Sequence, residues 1–397
     1  MKFRKLISVI VAAVLTLGMF SVAAGAVGER EADNGALQFN EDGKLVVLHI
    51  TDIQDRYPMN SVGKRYLIDI LDRVQPDLII LGGDNIAGNC TFSKIAVRYA
   101  INEYMSIFEE RGIKVAAVFG NHDAENSHSS KEYQLSLYES YDCYIGCAGY
   151  TEADRVGTYN LPVLSSDGSR VAFNFWLFDS GDYNKENDLG GYACVTKGQI
   201  EWYKETSARL TAENGGEPVP SIAFQHIVVP EIYDALQQVE KGTEGAIEKT
   251  FDSTGETKDY VLPEGAEGEL LEGPCPPEYS NGQFDAMVET GDVLAAVFGH
   301  DHRNTFNFEY KGIRLMNSPC MSFAVTSYNG TNMGVRVFEI DENDPESFGT
   351  YTIDYDYMYD EDEVIMKYGF DSSIQDNSVF KRLYSWFIYK FYSLFKR

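Results

Sequence analysis

The strongest constraint on the fold is a regular alternation of apolar runs and helix-periodic segments in the first third of the chain. Residues 44–51 (KLVVLHIT), 77–81 (DLIIL) and 114–119 (KVAAVF) have the composition of buried strands. Residues 61–74 and 91–111, which separate these runs, repeat apolar side chains at helical spacing. Strands that alternate with helices usually pair in parallel, so the sequence predicts an α/β fold.

The pattern becomes mixed after residue 119. Strands are predicted at 171–178, 220–226, 293–298, 313–317 and 334–340, and helices at 131–140 and 196–212. This mixture favours two packed sheets flanked by helices over one doubly wound sheet. Residues 235–280 are rich in Gly, Glu and Pro, and we predict a long surface excursion there. Such a segment either shapes access to a neighbouring site or is a solvated insertion with no role.

Polar residues that can bind metal stand where the predicted strands end. Four such strings contain four of the six histidines of the chain: Gly82-Gly83-Asp84-Asn85, Gly120-Asn121-His122-Asp123, Gln225-His226 and Gly299-His300-Asp301-His302. Asp52 and Gln54 follow the first strand in the same way. Ligands gather at the carboxyl ends of strands in α/β proteins. Asp, Asn and His side chains at such an edge are the ligand types of a two-metal hydrolytic site.

The order of these strings resembles the signature of calcineurin-like metallophosphoesterases: D-x-H, G-D, G-N-H-[D/E], a lone His and G-H-x-H. Four of the five elements are intact. The segments 83–86, 177–181, 199–202, 225–231 and 298–302 further resemble a subgroup close to the small purple acid phosphatases. The resemblance covers residues 44–340 and implies a four-layer α/β/β/α sandwich. It also implies hydrolysis of a phosphomonoester or phosphodiester by a hydroxide that bridges two divalent metal ions (Mn, Fe or Zn).

The resemblance assigns a metal-binding role to six residues that match the family motifs. Asp52 and His302 would bind the first metal, and Asp84 would bridge the two ions. The second metal would be bound by Asn121, His226 and His300. Mn, Fe and Zn all accept this set of oxygen and nitrogen ligands, so the ligand types do not select among them.

The resemblance also assigns the proton-transfer residues and exposes one departure. His122 would act as the general acid or stabilise charge on the leaving group, with Asp123 orienting it. Gln54 stands where the D-x-H motif has its histidine. Purple acid phosphatases supply a tyrosine three residues after the bridging Asp instead, and that position is Ala87, so no tyrosinate-to-iron colour is expected. Gln54 either binds the first metal through its amide oxygen or only donates a hydrogen bond beside it.

The two ends of the chain carry separate signals. Lys2, Arg4 and Lys5, an apolar run at 6–20 and the small residues 24–26 predict a signal peptide at 1–26 and an exported protein; the alternative is a retained N-terminal anchor. Residues 27–43 are predicted as a linker, 44–355 as the phosphoesterase domain, and 356–397 as an acidic linker followed by a basic, aromatic amphipathic helix. That helix, at 377–397, either contacts an anionic membrane surface peripherally or docks on the body of the protein.

Charge and cysteine content limit the possible partners. The chain has 33 basic and 61 acidic residues and a net charge of −28. Three of the basic residues and no acidic residue lie in 1–26, so the remaining chain is near −31. Such a surface repels a nucleic-acid polymer, whereas a small phosphate ester can bind where metal ions reverse the local field. Six cysteines permit up to three disulfides, or several remain as packed thiols.

Two other functions remain compatible with the sequence. One is a degenerate, non-catalytic metal- or phosphate-binding protein, because the departures at Gln54 and Ala87 weaken the first metal position. The other is a membrane-surface phosphodiesterase that acts on lipid head groups, as the composition of 377–397 indicates. The identity of the substrate and the oligomeric state are left open.

Overall fold

The computed structural model describes residues 37–88, 93–125, 129–150, 155–185, 187–251, 254–323 and 333–359. The predicted signal peptide and the predicted helix at 377–397 lie outside these ranges. Within them, no helix combines the length and the apolar composition that a membrane crossing requires.

Three parallel strands form one side of the first sheet: β1 (Lys44–Ile50), β2 (Leu78–Gly82) and β3 (Lys114–Val118), with β3 at the edge. The helices α1 (Ser61–Val74) and α2 (Lys94–Arg111) connect them, and α3 (Lys131–Tyr138) follows β3. Two later strands, β13 (Gly334–Asp341) and β14 (Gly349–Asp354), extend the sheet in antiparallel pairing beside β1. The resulting strand order is β14-β13-β1-β2-β3.

The second sheet is built from the middle of the chain. Its strands are β4 (Tyr159–Leu164), β5 (Val171–Phe178), β6 (Ser221–Gln225), β10 (Val293–Phe298), β11 (Asn307–Tyr310) and β12 (Ile313–Asn317). They lie in the order β11-β12-β10-β6-β5-β4, with the four inner strands parallel and both edge strands antiparallel. The helices α4 (Lys197–Glu213) and α6 (Gln283–Thr290) precede β6 and β10.

Alternation of side chains along the strands explains how the layers pack. One apolar core lies between the two sheets and includes Val47, Ile80, Val118, Phe175, Phe224 and Val297. The opposite face of the first sheet packs against α1, α2 and α3, and the opposite face of the second packs against α4 and α6. Because successive side chains point to opposite faces of a sheet, each apolar strand can serve two cores. The predicted four-layer α/β/β/α sandwich is therefore confirmed.

The predicted excursion at 235–280 contains a small sheet that the sequence did not indicate. After α5 (Ile232–Ala235), the strands β7 (Gln237–Val239), β8 (Ile247–Thr250) and β9 (Thr257–Val261) pair antiparallel in the order β7-β9-β8. Most of their residues are exposed or half-buried, so hydrophobic alternation is weak. Strands this short are held by their neighbours, and propensity alone does not reveal them.

The boundaries predicted for the linker and the domain need correction. Leu37 and Phe39 are buried, with relative exposures of 3 % and 2 %, and the Phe39 amide donates to the carbonyl of Leu164. Residues 37–43 therefore pack on the domain instead of belonging to a linker. At the other end, the short helix α7 (Tyr355–Met358) buries Tyr355 in the core beside α1, so the packed body continues past 355. Cys143 is a free thiol and forms no disulfide with Cys147, four residues further along the chain.

Candidate metal centre

The candidate metal ligands lie just beyond the carboxyl ends of five strands. Asp52 follows β1, Asp84 follows β2, Asn121 follows β3, His226 follows β6 and His300 follows β10. The first three strands belong to one sheet and the last two to the other. The site therefore lies at a common edge of the sandwich, where loops from both sheets meet.

Unusual backbone conformations mark the same loops. Asp52, Gln54, Asp84 and His300 have left-handed φ values of 55°, 40°, 50° and 68°, and they are four of the six non-glycine residues with positive φ in the described chain. Such conformations are uncommon for residues with a side chain and cluster at functional sites. They turn each chain sharply after its strand, which keeps the polar side chains close to the sheet edge.

Two glycines allow these loops to approach one another. A Cβ at Gly120 would lie 2.1 Å from Asp84 Oδ1, and a Cβ at Gly299 would lie 2.0 Å from Thr51 Oγ1 and 2.6 Å from Asp52 Oδ2. Real Cβ atoms do not approach other heavy atoms so closely. The glycines of the G-N-H and G-H-x-H strings are therefore required by the close packing of the carboxylates against the neighbouring loops.

The candidate ligand atoms are within a few ångströms of one another. His226 Nε2 is 3.1 Å from Asp84 Oδ2 and 3.8 Å from Asp52 Oδ1, and His302 Nε2 is 3.2 Å from Asp52 Oδ1. Ligand atoms of Asp84, His226 and His300 all lie within 4.8 Å of each other. The structure thus brings together the two ligand groups that the sequence predicted, with Asp84 in contact with the second group.

The tautomer of His226 suits metal binding. Its Nδ1 is 3.0 Å from the carbonyl oxygen of Gly82. Because a carbonyl oxygen only accepts, Nδ1 carries a hydrogen, and Nε2 is the ring nitrogen that faces the carboxylates. Once a cation displaced the proton of Nε2, this nitrogen would be the ligand atom. A second ring nitrogen fixed by a backbone carbonyl is the usual arrangement for a metal-binding histidine.

The electrostatics of the site favour a cation. Burial lowers the pKa of His226, but the charges of Asp84 and Asp52 outweigh burial and raise this pKa to about 10. Burial likewise opposes protonation of His302, and Asp52 nevertheless raises its pKa. Burial and the charge of His226 lower the pKa of His300 to about 3, which leaves that ring neutral at physiological pH. Two carboxylates that can hold a proton on buried His226 produce a potential that also favours a metal ion.

Buried polar atoms in the site lack hydrogen-bond partners. Both terminal atoms of the Asn121 carboxamide are buried without an aligned hydrogen bond from the described residues. An unsatisfied buried polar group costs about 1–3 kcal/mol, so a native structure normally supplies a partner. A metal ion would satisfy the Asn121 oxygen. The oxygen and nitrogen donors therefore suit divalent cations. Asp52, His302 and Asp84 would hold one ion, and Asp84, Asn121, His226 and His300 would hold a second.

Gln54 takes the second of the two roles that the sequence allowed. Its side chain is buried, and its Nε2 donates to Asp84 Oδ2 at 3.0 Å. In this arrangement the amide supports the Asp84 carboxylate, and a metal-ligand role for Gln54, which would require its amide oxygen to face the site, stays a prediction. Position along the chain places the residue beside the site, but it does not determine which end of the amide faces the carboxylate.

Asp123 does not orient His122, as the resemblance implied. Its Oδ1 accepts from the amides of Asn85 and Ile86 at 2.8 and 3.1 Å, and its Oδ2 accepts from the amide of Gly120 at 2.8 Å. Asp123 therefore ties the loop after β2 to the loop after β3. Its role is to hold the loop that carries Asp84, and the predicted catalytic role is corrected.

The carboxylate beside His122 belongs to Glu125, which the sequence analysis missed. Glu125 Oε2 lies 2.9 Å from His122 Nδ1, and Glu125 Oε1 accepts from the hydroxyl of Tyr183 at 2.8 Å. The ring of Tyr183 stacks on that of Tyr192 with their centroids 5.7 Å apart. The ring of Tyr192 lies edge-to-face with that of His300, with their centroids 4.4 Å apart. The three-residue spacing of His122 and Glu125 was visible in the sequence. Nothing local pointed to the tyrosines, which come from the loop after β5.

Comparison with known proteins agrees with the motifs. The family model for the calcineurin-like phosphoesterase matches residues 45–304. Two Arabidopsis thaliana relatives are described as "Probable inactive purple acid phosphatase 14" and "Probable inactive purple acid phosphatase 29". They are 28 % and 26 % identical, over 82 % and 70 % of this chain and 81 % and 68 % of their own.

A solved dimetal phosphatase from Danio rerio is 14 % identical, with a TM-score of 0.47, and the match covers 78 % of this chain and 99 % of that one. The family model spans more than half of the chain and includes every candidate metal ligand. The chain belongs to the calcineurin-like phosphoesterase family.

Proposed function

We propose that the protein is an exported, metal-dependent phosphoesterase that hydrolyses small phosphomonoesters or phosphodiesters. The observation that carries the proposal is the close meeting of Asp84, His226 and His300, together with the buried Asn121 carboxamide that lacks a hydrogen bond. Membership of the calcineurin-like phosphoesterase family supports the same reaction class. The strong negative charge of the chain favours a small ester over a polyanion as the substrate.

The residues of the chain have separable tasks in this reaction. When bound, two divalent cations would supply an acidified water and would polarise the phosphoryl oxygens. Asp52 and Asp84 supply the negative charge that holds cations, and the carbonyl of Gly82 keeps His226 in its ligand tautomer. His122 has a side chain with 32 % exposure, so a substrate can reach it, and it donates a proton to the leaving group.

The direct test is a panel of one phosphomonoester and one phosphodiester, each measured with Mn²⁺, Fe²⁺ and Zn²⁺ added separately. We expect turnover of at least one ester with at least one metal. His122→Ala should lower turnover by about 10²-fold or more, which is the usual contribution of a general acid, and should leave metal content unchanged. Absence of turnover under all six conditions would refute the proposed function, and metal loss in the His122 variant would refute the role of that residue.

A non-catalytic metal-binding protein is the second candidate, and the environment of Gln54 favours it. Gln54 donates to Asp84, and Ala87 occupies the position where purple acid phosphatases have a tyrosine, so only Asp52, Asp84 and His302 would hold the first metal. The Arabidopsis relatives also bear names that describe them as probably inactive. Elemental analysis separates the two candidates: two ions per chain support the enzyme, whereas one ion or none supports the binding protein.

Export is proposed from the residues at the start of the chain. The basic residues of 1–5, the apolar run and the small residues at 24–26 form the pattern of a cleaved signal peptide. Mass spectrometry of the native protein should find an N-terminus at Val27 in the extracytoplasmic fraction. An intact residue 1 on a protein that remains in the cytoplasm would refute export without affecting the proposed reaction.

A further inference from the structure

We infer that Glu125 is a positioning residue that fixes the His122 ring for proton transfer to the leaving group, and that Tyr183 holds Glu125 in place. The inference rests on the proposed phosphoesterase function for its kinetic consequence. The geometry on which it depends is independent of which ester is hydrolysed.

Both oxygens of Glu125 are engaged in contacts that orient it. Oε2 lies 2.9 Å from His122 Nδ1, and Oε1 accepts from the Tyr183 hydroxyl at 2.8 Å. The contact is an ion-pair distance without an aligned hydrogen bond. The negative charge of a carboxylate so close to Nδ1 still favours, electrostatically, a hydrogen on Nδ1 over one on Nε2. Nε2 is then the ring nitrogen that can exchange a proton with a substrate. Asp123 cannot perform this task because its oxygens accept from backbone amides.

His122 needs such a partner because only its backbone is fixed by the metal-binding loops. Its amide donates to Asp84 Oδ1 at 2.8 Å, which ties the residue to the bridging carboxylate. Its side chain, in contrast, is about one third exposed. Without Glu125 the ring could rotate or adopt the other tautomer, and a small displacement of a proton donor costs a large part of its effect.

Tyr183 is anchored from below by a buried ion-pair network. The Nζ of Lys131 lies 2.9 Å from Asp179 Oδ1 and 2.7 Å from Asp182 Oδ1, and its side chain is only 7 % exposed. Tyr183 follows Asp182 directly and stacks on Tyr192. The hydroxyl of Tyr183 is therefore presented to Glu125 by a loop that is already ordered, which lowers the entropy cost of holding the carboxylate.

Proton transfer from His122 accompanies the breaking of the ester bond. The bond from phosphorus to the leaving oxygen breaks, and its electron pair stays on that oxygen. His122, as imidazolium, gives its Nε2 proton to this oxygen, while the oxygen of water forms the new bond to phosphorus and releases one proton to solvent. The ring regains a proton from solvent for the next turnover. This donation matters most when the leaving group is a poor one, such as an alkoxide.

A leaving-group comparison tests the inference kinetically. Glu125→Ala should lower kcat for an alkyl phosphate by about 10-fold or more, within the general-acid range, and should change kcat for nitrophenyl phosphate much less. KM and metal content should remain near wild type. Glu125→Gln and Tyr183→Phe should give intermediate losses, and Glu132→Gln, at an exposed glutamate in α3, is the matched control. Equal losses on the two esters, or loss of metal, would overturn the inference.

A double variant tests whether Glu125 acts through His122. In the His122→Ala background, Glu125→Ala should cause no further loss on the alkyl ester, because residues that act as a unit are not additive. Additive losses would overturn the inference. The Glu132→Gln substitution should have no effect in either background.

A spectroscopic measurement tests the geometry without activity. The ring nitrogens of ¹⁵N-histidine-labelled protein report the tautomer of each ring, and the His122→Asn variant identifies the His122 signals. We expect hydrogen on Nδ1 of neutral His122 in the wild type, and a shift toward the Nε2 tautomer in Glu125→Ala, with and without Mn²⁺. An unchanged tautomer would overturn the role of Glu125. If the wild type hydrolyses neither ester but the tautomer shifts, the proposed function fails and the positioning role stands.

Discussion

Replacement of Lys131 by Met should destabilise the fold by about 3 kcal/mol, because it removes the principal cationic partner of a buried carboxylate. Asp179 is fully buried, and Lys131 Nζ lies 2.9 Å from its Oδ1. Loss of one partner of a buried ion pair costs about 3–5 kcal/mol, since the other charge remains uncompensated. Asp179 keeps the amide of Gly181 at 2.9 Å and the guanidinium of Arg155 at 4.0 Å, which places the expected loss at the lower end of that range.

Urea unfolding at neutral pH, followed by tryptophan fluorescence, measures the change. Lys204→Met, which removes a partner of exposed Glu289, is the matched control and should leave the midpoint nearly unchanged. The double variant Lys131→Met with Asp179→Asn should recover most of the stability, because the buried carboxylate charge is then absent. A loss below about 1 kcal/mol for Lys131→Met, or no recovery in the double variant, would refute this account of a costly uncompensated charge.

The pH dependence of this contribution follows from the two pKa values. Burial raises the pKa of Asp179, but Lys131 and Arg155 hold it below its usual range. The stabilisation is therefore present above an unfolded pKa of about 3.9 and is lost as pH falls through the folded value. Burial lowers the pKa of Lys131, whereas Asp179 and Asp182 raise it, so stabilisation is lost as pH rises through the folded value. The penalty of Lys131→Met should be constant between about pH 4 and pH 10.

Three further changes test the site and the tail. Gln54→His is expected to tighten binding of the more weakly held metal ion, measured by metal titration, because an imidazole lone pair replaces an amide that donates to Asp84; unchanged affinity would contradict this placement. Gly120→Ala should lower metal content and turnover together, because its Cβ would lie 2.1 Å from Asp84 Oδ1, and wild-type values for both would contradict the close approach. Co-sedimentation with anionic vesicles tests the membrane-surface alternative: pelleting that requires residues 377–397 supports it, and equal partition of the full-length and truncated chains counts against it.

Much of the fold was predictable where local composition was decisive. The strands β5, β10 and β12 and the helix α1 have the predicted bounds. Each is a continuous apolar or periodic stretch, and Pro, Gly or polar residues delimit it. The small sheet of β7, β8 and β9 was not predictable, because its strands are short and mostly half-buried or exposed. Leu37 and Phe39 were likewise missed, since two isolated apolar residues in a polar segment show no period.

The candidate metal ligands could be predicted from the sequence, but the residues that hydrogen-bond to them or orient them could be predicted less well. Asp52, Asp84, His226, His300 and His302 lie within a few ångströms of one another at the strand ends, whereas the metal-binding roles of these residues and of Asn121 stay a prediction. Proximity in the chain misled at Asp123, which is adjacent to His122 but accepts from backbone amides. The contact with Glu125 depends on how the turn after β3 folds. The contact of Glu125 with Tyr183 joins residues separated by 58 positions, which no local pattern encodes.

The sequence by itself determined which polar residues follow buried strands, because continuous apolar runs identify the buried strands. It therefore also determined the identity and order of the candidate metal ligands. Only the tertiary structure decided what the neighbouring residues do. Gln54 donates to Asp84, Asp123 binds backbone amides, and Glu125 contacts His122. These roles depend on side-chain direction after left-handed turns and on loops brought together from two sheets. Composition and spacing predict which segments are buried. The direction of each side chain and its contacts with residues distant in the chain are set only when the sheets pack together.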